Sequence, residues 1–126
     1  MKYLLFLLLT ITTLAARSQT ITPEAAKDSI GKQVTVCGTV TGTHTVDASG
    51  VTFLNMGGKY PNNAFTVVIL KDDAAKFSYP LSTLSGKNIC ITGLVKDYKG
   101  KPEIVATEEK QILVKQPATP LQSTRE

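Results

Sequence analysis

A chain of 126 residues has room for a single domain. Its 14 Lys and Arg against 10 Asp and Glu give a formal net charge of +4. Lys2 and Arg17 sit in a leader-like segment, and without them the balance is 12 against 10, too even to demand a polyanionic partner. The two cysteines, Cys37 and Cys90, have no C-x-x-C spacing, which excludes a zinc knuckle and a thioredoxin-type site.

Residues 1–18 read as a secretory signal peptide. Lys2 supplies the positive n-region, residues 3–14 are an almost unbroken apolar run, and small residues follow at Ala15, Ala16 and Ser18. Cleavage is expected after Ala16 or Ser18. A spanning helix needs roughly 20 apolar residues; this run is shorter, so no membrane span is expected after cleavage. The mature protein is expected to be exported, periplasmic or secreted. Residues 19–115 are expected to form the domain. Residues 116–126, polar with two prolines, are expected to be a flexible tail.

The domain opens on Thr22-Pro23-Glu24-Ala25-Ala26-Lys27-Asp28-Ser29-Ile30-Gly31, which predicts a short helix. Thr22 suits its cap, Pro23 the first helical position, and Gly31 its stop. Ala25, Ala26 and Ile30 are its candidate packing residues. Residues 31–40 follow, with Val34, Val36 and Val40 alternating against Gln33, Thr35 and Thr39, the mark of a half-buried strand. The pattern returns at residues 86–95, again with Gly-Lys at its head and a glycine seven places on, Gly38 in one copy and Gly93 in the other. Glycines so placed suggest bends of the kind small barrels use at corners. The same alternation puts Val34, Val36, Ile89 and Ile91 inside and both cysteines outside. Two outcomes stay open for the thiols: a disulfide, favoured in an oxidising compartment, or two small apolar groups on a barrel surface.

Residues 41–50 read as a polar loop carrying His44, Asp47 and Ser49. Residues 51–56 and 65–70 are β-rich runs flanking Gly, Lys, Tyr, Pro and Asn, a hairpin with a long connection. Asp72 then offers an acidic cap for one or two helical turns that Pro80 ends, with Leu81 and Leu84 as anchors. Residues 95–105 predict a second hairpin whose turn contains Lys-Gly-Lys-Pro, and Ile112, Leu113 and Val114 extend along the sheet.

Five strands with a short helix between the third and fourth are the ingredients of an all-β OB-fold, a five-stranded Greek-key barrel. Three further stretches add to this: Gly31-Lys32-x-Val34-x-Val36-x-Gly38-x-Val40, Phe53-Leu54-Asn55-Met56-Gly57 with Phe65-Thr66-Val67-Val68-Ile69, and Tyr98-x-Gly100-x-Pro102-Glu103-Ile104. Together they resemble the tRNA-anticodon type of nucleic-acid-binding OB domain. The chain is similar in layout to small exported bacterial proteins built from one such domain. The resemblance implies that the first and fourth barrel strands are antiparallel neighbours, which supports a Cys37–Cys90 disulfide. It also implies a ligand face on the second and third strands.

On that face Asn55 is the polar member of its strand, so an outward Asn55 carries Phe53 outward with it. An outward Phe53 can stack a base or a sugar ring; a Phe53 turned inward joins the core. Thr66 shares the outer side of the third strand. Tyr60 and Tyr98 offer further aromatic surface, and Lys59, Lys99 and Lys101 offer charge. Phe53, Asn55, Tyr60, Thr66, Tyr98, Lys99 and Lys101 are therefore the candidate ligand-binding residues. The mature part has one arginine, Arg125, and the chain has no tryptophan, which argues against a sequence-specific reader. No catalytic set emerges either. His44 has no second histidine, and Ser49, His44 and Asp47 lie in one short segment. The nuclease that shares the OB barrel relies on arginines that are missing here. The expectation is a non-catalytic binding module without metal or cofactor, taking single-stranded nucleic acid or an oligosaccharide. An envelope or secreted protein–protein interaction module is the alternative.

Overall fold

The computed structural model describes residues 18–116. The expected signal peptide, save Ser18, and all but the first residue of the expected tail lie outside them. Among the described residues there are eight strands: β1 (Gln19–Ile21), β2 (Gln33–Thr45), β3 (Thr52–Met56), β4 (Phe65–Ile69), β5 (Asn88–Leu94), β6 (Lys96–Tyr98), β7 (Lys101–Val105) and β8 (Ile112–Val114). Five of them, β2, β3, β4, β5 and β7, are the expected barrel strands. The other three are short additions at the edges.

β2 organises the barrel. Its first half pairs antiparallel with β5, from Gln33 opposite Leu94 to Thr39 opposite Asn88. Its second half pairs antiparallel with β3, from Val40 opposite Met56 to Thr45 opposite Thr52. A register shift between Val40 and Gly42 lets one strand serve both sheets. β3 pairs antiparallel with β4, and β4 pairs parallel with β7. The barrel closes where β7 meets β5: a Cβ on Gly93 would stand 2.6 Å from Ile104 Cγ2. Gly38 is likewise a point of close approach, where a Cβ would stand 2.8 Å from Pro23 Cγ. The two repeated glycines thus make room for neighbours, and the irregularity in β2 lies just beyond the first.

Alternation put the core where expected. Val34, Val36, Leu54, Phe65, Val67, Ile89 and Ile91 are fully buried, and Leu81 and Leu84 anchor the link into β5. The local elements depart from expectation in four ways. The first helix is a 3₁₀ helix, Pro23–Asp28, capped as predicted by Thr22, whose Oγ1 accepts from the Ala25 amide at 3.3 Å. Only Ala26 of its three proposed packing residues is in the core, and Ile30 is 43% exposed. The single α-helical turn α1 (Lys71–Ala74) starts at Leu70 without a side-chain cap, so Asp72 lies in the first turn rather than before it. Pro80 opens a 3₁₀ turn, Leu81–Leu84, instead of closing the helix, which has already ended at Ala75. Among the described residues no helix is long and apolar enough to cross a membrane.

Cys37 and Cys90 stand opposite each other on β2 and β5 and are joined by a disulfide. The pair lies on the outer side of these strands, between the cross-strand pairs Thr35–Thr92 and Thr39–Asn88.

Candidate ligand groove

The outer face of β3, β4 and β7 is ordered by its register. Asn55 pairs with Thr66, and Thr66 pairs with Glu103, so one polar row runs across three strands. Residues paired in this way project to the same side of a sheet. Gly42 on β2 extends the row without a side chain, and a Cβ there would meet nothing within 4 Å. The adjacent row is His44, Phe53 and Val68. Phe53 is half-buried and outward, as the parity of Asn55 required, while Thr52, Leu54 and Met56 turn inward.

Two loops wall this floor into a groove of about 730 Å³. One is the β3–β4 connection, which carries Lys59, Tyr60 and Asn63. The other is the β6–β7 hairpin, which carries Tyr98 at one end and Lys101 at the other. Tyr60 is 76% exposed and Tyr98 58%, so both rings stand at the mouth. The two walls are tied together, because the Lys101 ammonium donates to the Pro61 carbonyl. Asn63 fixes the first wall from within. Its Nδ2 donates to the Phe65 carbonyl at 3.0 Å and to Thr66 Oγ1 at 2.8 Å. Its Oδ1 is buried with no partner among the described residues. Thr41 holds the same loop from β2, its hydroxyl donating to the carbonyl of Gly58 at 2.7 Å.

Six of the seven sequence-derived candidates line the groove: Phe53, Asn55, Tyr60, Thr66, Tyr98 and Lys101. Asn55 is only 7% exposed and therefore belongs to the floor rather than the rim. Lys99 is the exception. It occupies the turn with φ of 51°, and its ammonium lies over the Tyr98 ring at 5.4 Å from the centroid. Its charge is directed to that ring, and it does not line the groove.

Among the lining residues that sequence reasoning missed, His44 and Glu103 carry ionisable side chains. His44 is on strand β2, opposite Phe53, and not in a polar loop; only residues beyond Thr45 form the turn into β3. Glu103 on β7 sits between Thr66 and Lys96 in register. Burial pushes its carboxyl above the usual carboxylate range, and Lys96 offsets this in part. It has no ion pair among the described residues. Its signal in sequence was only its place in the Pro102-Glu103-Ile104 run. No cluster of three metal-ligating side chains occurs among the described residues.

No protein-family profile and no curated protein matches this chain. Solved structures do. A protein described as an aspartyl-tRNA synthetase of Leishmania major Friedlin superposes with a TM-score of 0.50 at 10% identity, over 82% of this chain and 22% of its own. Yeast Stn1 and Ten1 superpose with a TM-score of 0.55 at 14% identity, over 83% of this chain and 66% of theirs. The OBody AM1L10, solved bound to hen egg-white lysozyme, gives 0.52 at 20% identity, over 80% of this chain and 97% of its own. This chain thus spans about a fifth of the synthetase and just under two thirds of the yeast protein. At these identities the likeness is one of fold: the domain is an OB-type barrel, with a groove on the outer face of its second, third and fifth barrel strands.

Proposed function

We propose that the chain is an exported, non-catalytic binding module that lays an extended polymer, single-stranded nucleic acid or oligosaccharide, in the groove over β3, β4 and β7. The carrying observation is convergence. Phe53, Asn55, Tyr60, Thr66, Tyr98 and Lys101, from separate stretches of the chain, line one groove of about 730 Å³. That volume lies within the range of small-ligand sites, roughly 300–1,000 Å³. Phe53 supplies a stacking surface, Asn55 and Thr66 hydrogen bonds, and the tyrosines the walls. Export is supported by Lys2, the apolar run after it and the small residues that follow. The Cys37–Cys90 disulfide supports it too, since such bonds persist in oxidising compartments. The tRNA synthetase among the similar structures supports the nucleic-acid branch.

Titration of the mature domain with short single strands and with neutral oligosaccharides tests the reading. Stacking of one ring is worth ~1–3 kcal/mol, so Phe53→Ala is expected to weaken binding about tenfold or more. Binding that ignores this substitution would remove the ligand from the groove.

A second reading, a protein-interaction module, is favoured by one observation. An OB domain matched over 97% of its length is bound to lysozyme in its own structure. Retention of a defined envelope protein by the wild-type domain, abolished by Tyr60→Ala with Tyr98→Ala, is the result this reading expects.

A further inference from the structure

Charge is unevenly placed around the groove, with lysines on its walls and a carboxylate in its floor. Of the lysines near it, Lys101 is bonded to the Pro61 carbonyl and Lys99 lies over the Tyr98 ring. Lys59 lines the wall, and Lys96 stands beyond Glu103 on the edge strand. The floor itself holds no cation. Its polar row is Asn55, Thr66 and Glu103, and the sole ionisable group in that row is a carboxylate. No arginine occurs among the described residues. Every ring of a nucleic acid brings a phosphate, which would meet Glu103 at a like charge and find no bidentate donor.

The hydrogen-bonding inventory points the same way. Glu103, when ionised, only accepts. Thr66 Oγ1 accepts from Asn63, which leaves its own hydroxyl proton free to donate. Asn55 contributes both a donor and an acceptor. A sugar hydroxyl donates and accepts at once, and a phosphodiester only accepts. The apolar face of a pyranose ring also suits the flat, partly exposed Phe53, the exposed ring of Tyr60 and the face of Tyr98 that Lys99 leaves open.

We infer that the groove's ligand is an uncharged oligosaccharide, its ring faces stacked on Phe53 and the two tyrosines and its hydroxyls bonded to Asn55, Thr66 and Glu103. This rests on the groove reading above and narrows it from two polymers to one.

The test is binding of the mature domain to an array of neutral glycans and to a short oligothymidylate, each at low and high salt. It is repeated for Phe53→Ala and Glu103→Gln, with thermal unfolding as the folding control. The expected result is saturable, salt-insensitive glycan binding, weakened about tenfold by either substitution. The oligonucleotide is expected to bind more weakly, and to gain affinity in Glu103→Gln as the repulsion is removed. Oligonucleotide binding that falls with salt and with Phe53→Ala, in the absence of glycan binding, overturns the saccharide and leaves the groove reading standing. Glycan binding indifferent to both substitutions overturns the assigned site. Absence of binding to every probe overturns both.

Discussion

Asn63 joins the β3–β4 loop to the strand that follows it, with one amide nitrogen serving both the Phe65 carbonyl and the Thr66 hydroxyl. It is 5% exposed, so water does not substitute readily for either bond. Asn63→Asp puts an acceptor against a buried carbonyl; the expected loss is ~1–3 kcal/mol, read from urea unfolding at neutral pH. Glu103 and Glu109 give opposite pH signatures. Burial raises the Glu103 carboxyl in the folded state, so its share of stability is full below the usual carboxylate range and is lost as pH rises through it. Glu103→Gln is therefore expected to stabilise the domain at neutral pH, with the gain vanishing in acid. Glu109 accepts from the hydroxyl and the amide of Ser78, which hold its carboxyl below the usual range. Its contribution is present above that range and lost as pH falls, so Glu109→Gln is expected to destabilise at neutral pH and to be silent in acid. Unfolding midpoints of the two variants at both pH values check the opposed signs.

At the scale of elements, the repeated glycines within β2 and β5 differ in what they face. A methyl at position 38 meets the ring of Pro23 at 2.8 Å and the Met56 methyl at 3.3 Å, whereas one at position 93 meets a methyl of Ile104. A proline ring in a capped turn has little freedom to move. Gly38→Ala is expected to cost ~1–3 kcal/mol, the usual range for overpacking, and thermal unfolding measures it. Gly93→Ala is expected to press β7 away from β5 and so to loosen the hairpin that carries Tyr98; hydrogen exchange at the amides of residues 101–105 would report this. The strands themselves were legible, because Val34/Val36 flank Thr35, Leu54/Met56 flank Asn55, and Phe65/Val67/Ile69 recur at a period of two in a β-branched run. Asn55 made the outward face legible too, and with it most of the groove floor. The second half of β2 was not legible. Thr41-Gly42-Thr43-His44-Thr45 has no apolar alternation, since its outward positions face a groove and the register shift before Gly42 breaks the period. His44 was therefore read as a loop residue. Glu103 was passed over because a lone carboxylate beside a lysine-rich turn looks like a solvated one. Lys99 was assigned to the ligand because its spacing does not reveal a left-handed backbone that turns it over Tyr98.

At the scale of the whole domain, β2 divides the described residues into two halves. Its second half, with β3, β4 and β7, forms the groove; its first half, with β5, carries the disulfide and adds β1 and β8 at its edges. The cysteines are 53 residues apart, and the loop they close contains β3, β4 and α1. On the chain-entropy account a loop of that length is worth about 4 kcal/mol, a large share of what a domain this size retains. None of the groove-lining residues touches the bridge in register, since the β2–β3 pairing begins at Val40, beyond Cys37. Replacing both cysteines by alanine is accordingly expected to lower the unfolding midpoint by well over ten degrees, at about 4–8 °C per kcal/mol. Affinity for the groove ligand should stay unchanged when measured below that midpoint. Calorimetric unfolding paired with a binding titration on the same sample separates the two effects. Loss of affinity in step with stability would mean that the halves are one cooperative unit, with the disulfide setting the shape of the groove as well as the survival of the barrel.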